Sequence, residues 1–469
     1  MIRPVILWTD ALIFLLVTVV IVFGIYARGK PHLRAPWAHV LRSRIAAGSL
    51  VVLLVFITIG LLDSLHFRLP LADNGNGGET HYAVEVLSVL DVLAGPLRTR
   101  VEKSYSAPFA THLFTRENIE QPDGSVLRDY PRLEYAGSHL ADPARDKGSD
   151  ILKRSAMAGF QALPATGVLL LGVALLLGRT GGQGTRAALR DILQGRTELP
   201  WRVILATLGL LLLLLLLVVN LATAYHVLGT DKVGQDVLYL SLKSIRTGLV
   251  IGTLTTLVML PFAVLLGILA GYARGWIDDV VQYVYTTLNS IPHVLLIAAA
   301  ILMLQVYIAN HPELFETTVE RADIRLLFLC IILGITSWTG LCRLLRGESL
   351  KLREAEYIQA AQSFGVAHAR IITRHILPNV MHVVLITVVL DFSGLVLAEA
   401  VLSYVGVGVD PTMNSWGNMI NGARLEMARE PVVWWSLLSA FLFMFALVLA
   451  ANLFSDAVRD AFDPRLRTR

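Results

Sequence analysis

Nine stretches of this chain stay apolar for long enough to cross a bilayer, whose hydrocarbon layer of roughly 30 Å needs about 20 helical residues. They run Val5–Ala27, Ile45–Leu65, Ala158–Gly178, Val203–Tyr225, Ile245–Gly271, Val280–Leu304, Leu326–Leu341 (with an extension to Leu345), Asn379–Val405 and Pro431–Phe454. These runs predict an all-α, polytopic helical membrane protein of about nine transmembrane helices. Composition agrees. Hydrophobic residues make up 55% of the 469 and charged residues 16%, whereas a soluble chain is about a quarter charged.

Charge placement orients the helices. Arg28, Lys30, Arg34, Arg42 and Arg44 follow the first run with no acidic residue among them. Residues 179–202 hold five arginines against Asp191 and Glu198. Basic loops stay inside, so both segments are predicted cytoplasmic, the N-terminus outside and the C-terminus cytoplasmic. The first run is too long for a cleaved signal peptide and is read as a retained helix. Cys330 and Cys342 fall in one predicted helix, about 18 Å apart at the helical rise, so they do not pair. The net charge of +4 is small, and membrane lipid rather than nucleic acid is the expected surrounding.

The chain divides into 1–65, two helices; 66–157, an external insert; 158–202, a third helix and a basic linker; and 203–469, six helices with a cytoplasmic loop at 343–378. The insert carries turn signals at Asn74-Gly75-Asn76-Gly77-Gly78 and Pro122-Asp123-Gly124. An amphipathic helix is expected over Tyr82–Leu93. At about ninety residues it is long for a connection, and either a small domain or a partly disordered insert fits that length. Pro164 is tolerable near the end of its helix, and Pro292 predicts a kink near mid-membrane. Gly181-Gly182-Gln183-Gly184 lacks the Lys-Ser/Thr ending of a phosphate loop and reads as a linker. The chain has no Walker A pattern, no HExxH metal pattern and no paired nucleophile and base. No catalytic or metal site and no bound cofactor is expected.

One polar island organises the apolar runs. Residues 356–378 read EYIQAAQSFGVAHARIITRHILP. Tyr357, Ala360, Ala361 and Phe364 recur at helical spacing, and Gly365 breaks that helix. A second short helix is expected through Arg370, Ile371, Arg374 and His375, closed by Pro378. Arg343, Arg346, Lys351, Arg353, Arg370 and Arg374 outnumber Glu348, Glu354 and Glu356 here, which places the island inside. Physics alone leaves open an amphipathic loop lying on the lipid surface.

Glu356, Ala360-Ala361, Gly365 and Leu377-Pro378 fall at the spacing of the "EAA" loop of binding-protein-dependent ABC importers. Further matches follow the same order. His226–Leu238, HVLGTDKVGQDVL, resembles the "H-x-LGTD-x-x-GRDVL" element of the dipeptide, oligopeptide and nickel permeases, with Gln235 in place of the usual Arg. Ala270–Asp279, AGYARGWIDD, resembles their "AGY-x-GGW-x-D" turn. Glu399 lies in AEAVLSYVGVGV, close to "EA-x-LSFLGLG". Ser415-Trp416-Gly417 matches an external "SWG", and Asp463-Pro464-Arg465-Leu466-Arg467 a tail motif. The resemblance covers a little over half the chain, from about Val203; the first three helices and the insert fall outside it.

The resemblance implies a permease subunit of an ABC importer for peptides or similar small solutes, in a bacterial inner membrane with its N-terminus periplasmic. Its expected partners are a second permease, two ATPase subunits that carry ATP and Mg, and a periplasmic substrate-binding protein. Glu356, Ala360, Ala361, Gly365, Arg370, Leu377 and Pro378 would couple to an ATPase. Asp391 and Glu399 are candidate translocation-path residues, because ionisable groups at membrane depth face the bundle interior or a water-filled path; for Glu399 a hydrogen bond between helices is the structural alternative. Asp231, Asp236, Ser415, Trp416 and Gly417 are candidates for an external gate or receptor docking. The rival reading is an ion-gradient-driven secondary transporter in which Asp391, Glu399 and His382 carry protons. Trp434 and Trp435 are expected in an interfacial aromatic belt.

Overall fold

A computed structural model describes residues 3–70, 82–120, 126–182, 184–315 and 317–462. The two glycine-rich turn signals of the insert, Gln183 and the Asp463–Arg467 tail motif lie outside these residues. Among the described residues nine helices are long and apolar enough to cross a membrane: Trp8–Arg28, Arg44–Asp63, Pro143–Gly181, Trp201–Ala222, Val237–Ala273, His293–Asn310, Thr318–Arg353, His368–Tyr404 and Trp435–Phe462.

The fifth helix, Val237–Ala273, is the hub. The seventh, eighth, ninth and second helices all pack on it. Its glycines explain how they come so close. A Cβ on Gly248 would stand 2.9 Å from the Trp416 ring, and one on Gly267 would stand 2.8 Å from the Cys342 carbonyl oxygen. Apolar burial gives helices little reason to associate in lipid, so close packing at small residues carries the association instead. The second helix bridges from this hub to the fourth, and the fourth carries the third. The third and fourth helices bury few of their residues and face lipid.

The structure corrects several expected boundaries. The predicted span Val280–Leu304 is two helices, Trp276–Ser290 and His293–Asn310, rather than one kinked helix. Ile291 is extended (φ −92°, ψ 128°) because the Pro292 ring disfavours the α region for the residue before it. Pro378 does not close the second helix of the polar island. The chain runs from His368 through a π-helical turn at Ile372–Ile376 into Leu377–Tyr404 as one spanning helix; the wide turn directly before Pro378 falls where its ring would otherwise crowd the carbonyl four residues back.

The seventh helix continues past Leu345 to Arg353. The division between 157 and 158 falls inside a single helix, Pro143–Gly181, capped by Asp142. Its polar first turns stand outside the membrane zone, where Asp150 pairs with Arg154 at 2.8 Å and accepts from the Tyr225 hydroxyl at 2.8 Å.

The insert is ordered against the bundle wherever it is described. Arg3–Val5, His66–Arg68 and Leu87–Ser88 form a three-stranded antiparallel sheet, and Glu117–Glu120 pairs with Val126–Asp129. The amphipathic helix expected over Tyr82–Leu93 shrinks to Val89–Leu93, opened by a Ser88–Asp91 capping box. The sheet claims Leu87 and Ser88, and Tyr82 bridges to Pro70. Trp435 is also inside rather than in an interfacial belt. Its indole donates to the Thr230 carbonyl at 2.9 Å and its ring stacks edge-on against Phe114, while Trp434 stays exposed.

Candidate functional site

The polar island is a short helix, Glu356–Ser363, a left-handed glycine, and the start of the eighth helix. Gly365 sits at φ +72°. Its N–H donates to the Gln362 carbonyl at 2.9 Å and the Val366 N–H to the Ala361 carbonyl at 3.1 Å, the bond pair of a Schellman motif. A Cβ on Gly365 would meet nothing within 4 Å, so backbone conformation, rather than space, selects glycine there.

The buried face differs from the one the spacing suggested. Ile358, Ile371 and Ile376 are fully buried, and Ala361, Val366 and Leu377 pack on the same cluster. Tyr357 and Phe364 turn outward, and Phe364 is 87% exposed. Glu356, Ala360, Gly365, Arg370 and Pro378 are exposed too. Of the candidate coupling residues, Glu356, Ala360, Gly365, Arg370 and Pro378 therefore form an outer face, while Ala361 and Leu377 belong to the apolar anchor that holds it.

The Ala270–Asp279 turn secures that anchor. The Tyr272 hydroxyl lies 2.7 Å from His368 Nδ1, and the Arg353 guanidinium donates to the Tyr272 carbonyl at 2.7 Å. Arg274 meets Glu354 at 2.5 Å, and Arg346 grips both oxygens of Asp278 at 2.6 and 2.7 Å. A Cβ on Gly271 would stand 2.6 Å from Ser349 Cβ. The fifth helix thus grips both flanks of the island.

Between the fifth, sixth, seventh and eighth helices lies a cavity of about 670 Å³, lined by Met259, His293, Thr336, Thr387, Asp391 and apolar neighbours. Among the described residues no ion pair or hydrogen bond is found to the Asp391 carboxylate, which faces this space. Glu399 is placed differently. It is buried, accepts from the Ser403 hydroxyl at 2.7 Å, and lies against Ser415 and Gly417. Its surroundings are those of a hydrogen bond between helices. His382 Nδ1 lies 2.8 Å from the Asn379 carbonyl of its own helix, and the structure does not bring His382, Asp391 and Glu399 together.

The candidates for receptor docking are largely interior. Asp236 caps the fifth helix through the Leu238 and Tyr239 amides and lies 2.7 Å from His226 Nδ1. His226 Nε2 lies 3.4 Å from Glu102 of the insert, whose carboxylate also accepts from the Glu134, Tyr135 and Ala136 amides. Burial pulls the His226 pKa down, but the hydrogen bonds and charges of Asp236 and Glu102 outweigh it and push it up to about 9. Ser415 caps the helix Trp416–Glu426, and the Trp416 indole donates to the Ser241 carbonyl at 3.2 Å. Gly417 lies so close to Ala400 that a Cβ would stand 3.0 Å from Ala400 Cα. Asp236, Ser415, Trp416 and Gly417 are buried and offer a receptor no surface. Asp231 folds its carboxylate onto the Val233 and Gln235 amides.

A buried ionic cluster at this end lay outside the predicted site. Arg246 of the fifth helix meets Asp10 of the first at 2.6 Å and Asp323 of the seventh at 3.6 Å. His66 meets the other oxygen of Asp10 at 2.8 Å. One turn away Lys243 meets Asp63 at 2.5 Å and Asp91 at 3.0 Å. The readable signal was an acid inside the first apolar run and two bases at the head of the fifth.

Known proteins resemble the part of the chain that carries the island. Residues 263–468 match the family described as binding-protein-dependent transport system inner membrane component. Over 243 residues, 52% of this chain and 74% of the relative, the sequence is 32% identical to the glutathione transport system permease protein GsiD of Pectobacterium atrosepticum. It is 32% identical over 243 residues, 52% of this chain and 77% of the relative, to the oligopeptide transport system permease protein OppC of Mycobacterium tuberculosis. It is 28% identical over 245 residues, 52% and 70%, to the dipeptide transport system permease protein DppC of Bacillus subtilis. With its spanning helices and its island at the family's spacing, the chain belongs to the inner-membrane permease family of binding-protein-dependent ABC importers.

Proposed function

We propose that the chain forms half of a translocation path for peptides or similar small solutes, delivered by a periplasmic binding protein. The six helices from about residue 203 form the transporting core, with a second permease subunit as their counterpart. Two ATPase subunits supply ATP hydrolysis, one of them docked on Tyr357, Ala360, Phe364, Gly365 and Arg370. The N-terminus is periplasmic and the C-terminus cytoplasmic. Asp391 lines the path, at the wall of the cavity between the fifth and eighth helices. The family match favours this reading over the ion-gradient-driven rival, and peptide cargo is taken from the names of the relatives.

The observation that carries the reading is the island's two-sidedness: an exposed outer face rigidly joined, through Ile358 and Ile371, to the helices around the cavity. A push on the outer face moves the eighth helix with it. The test is Gly365→Val in vesicles reconstituted with the partner subunits. A Cβ in the left-handed region costs on the order of 1 kcal/mol, and a β-branched residue costs more. The outer face then tilts while the bundle stays intact. Receptor docking should persist, while transport and substrate-stimulated ATP hydrolysis are lost. Transport at the wild-type rate would make the island a lipid-facing loop.

A further inference from the structure

Arg42, Arg44 and Arg202 line one cleft of about 570 Å³, where the second and fourth spanning helices begin beneath the Gln194–Pro200 loop. Arg44 opens the helix Arg44–Asp63, and Arg202 is the second residue of Trp201–Ala222. All three arginines are exposed. The one acid in the lining, Glu198, is itself exposed and meets Arg42 at 3.6 Å, a surface pair that contributes little. Among the described residues neither Arg44 nor Arg202 has an ion pair. The cleft holds positive charge that the protein leaves unbalanced.

Its floor indicates which anion fits. Val203, Ala206 and Thr207 form the inner wall. The helices touch there, since a Cβ on Gly48 would stand 3.5 Å from Val203 and Thr207. Seven residues further along the same helix face stand Leu210 and Leu214, both exposed. A charged mouth therefore opens onto an apolar helix face at membrane depth.

We infer that this cleft binds an anionic phospholipid, its phosphodiester between Arg44 and Arg202 and an acyl chain along Leu210 and Leu214. Arginine matches phosphate oxygens with paired donors, and basic pockets between spanning helices take acidic headgroups. Free phosphate shares the headgroup chemistry but has no use for the apolar face. The cleft precedes the residues that match the family, so it gives the added helices a role of their own, fastening this subunit to acidic lipid beside the second helix.

The test uses the full chain in nanodiscs made from equal parts of phosphatidylcholine and phosphatidylglycerol, with retained lipid counted by native mass spectrometry. The wild type should keep phosphatidylglycerol preferentially through delipidation. Each arginine removed should weaken apparent affinity about fivefold, the equivalent of ~1 kcal/mol per charge near the surface, so R44Q/R202Q should lose the preference. R186Q/R190Q, which removes two exposed arginines outside the cleft, should keep it. Equal retention by the wild type and R44Q/R202Q overturns the site, and equal loss in R186Q/R190Q reduces it to bulk charge. Displacement of the lipid by inorganic phosphate makes it a free-anion site and also overturns the inference. If R44Q/R202Q does not insert, the single variants R44Q and R202Q carry the same test, each expected to lose about fivefold.

Discussion

At the end of the bundle that carries Gly365, charged and aromatic side chains point outward, and a few apolar residues hold the segment in place. At the opposite end Asp10, Arg246 and Asp323 are buried among helices, and Glu102, His226 and Asp236 are buried beneath the insert. The first arrangement offers a surface and leaves its polar groups hydrated. The second takes charges out of water and tolerates them only because each finds a partner. The contrast suggests a division of labour. One end presents an open polar face, and the other locks the first helix, the second helix and the insert to the hub.

The largest expected effect lies at the locked end. Removing one member of a buried ion cluster leaves its partners uncompensated, at a cost of about 3–5 kcal/mol. Arg246→Met leaves Asp10 with only His66 facing it and takes the ion pair from Asp323. Thermal unfolding in detergent should show a large loss of stability, with a smaller one for Asp10→Asn, which leaves Arg246 with Asp323. The first helix should become accessible to protease in the same variant. An Arg246→Met protein that melts at the wild-type temperature would mean that the N-terminal helices are a loose addition, and the contrast between the two ends would collapse.

A smaller effect depends on pH. The His226 pKa rises from its ordinary 6.5 to about 9 in the folded chain, so the protonated ring stabilises the fold. That contribution is fully present below about pH 6.5 and is lost as the pH rises through 9. The melting temperature should therefore fall between pH 6.5 and 9, and His226→Gln should flatten that decline. A variant that keeps the wild-type slope over this window would exclude His226 as its source.

The same contrast explains what the sequence revealed. The spanning helices were legible because apolar runs of bilayer length have one solution in lipid. The island was legible because glycine at a left-handed position leaves a local signature. The partners of Asp10 and Glu102 were not legible. Asp10 and Arg246 are 236 residues apart, and no periodicity links them. The outward turn of Phe364 was hidden for a related reason. Its spacing from Tyr357 and Ala360 fits one helix face, but Phe364 is the C-cap residue, where the chain leaves the helix and the face no longer governs. The break at Pro292 was signalled as a bend, and the extended Ile291 before the proline parts the run into two helices.

The smallest expected change in stability, and the sharpest contrast with Arg246, belongs to Phe364→Ala. A side chain 87% exposed gives up almost no buried surface when truncated, so the stability of the isolated subunit should stay within about 0.5 kcal/mol of wild type, as surface substitutions do. Its effect should appear only with a partner. Aromatic residues at the centre of an interface are among the side chains whose loss costs 2 kcal/mol or more, which corresponds to roughly thirtyfold in affinity. Titrating the ATPase subunit against permease in nanodiscs measures both quantities on one preparation. Weaker ATPase binding at unchanged stability identifies Phe364 as the residue the partner grasps. Unchanged binding moves the contact to Tyr357, earlier in the same helix, or to Arg370, beyond Gly365.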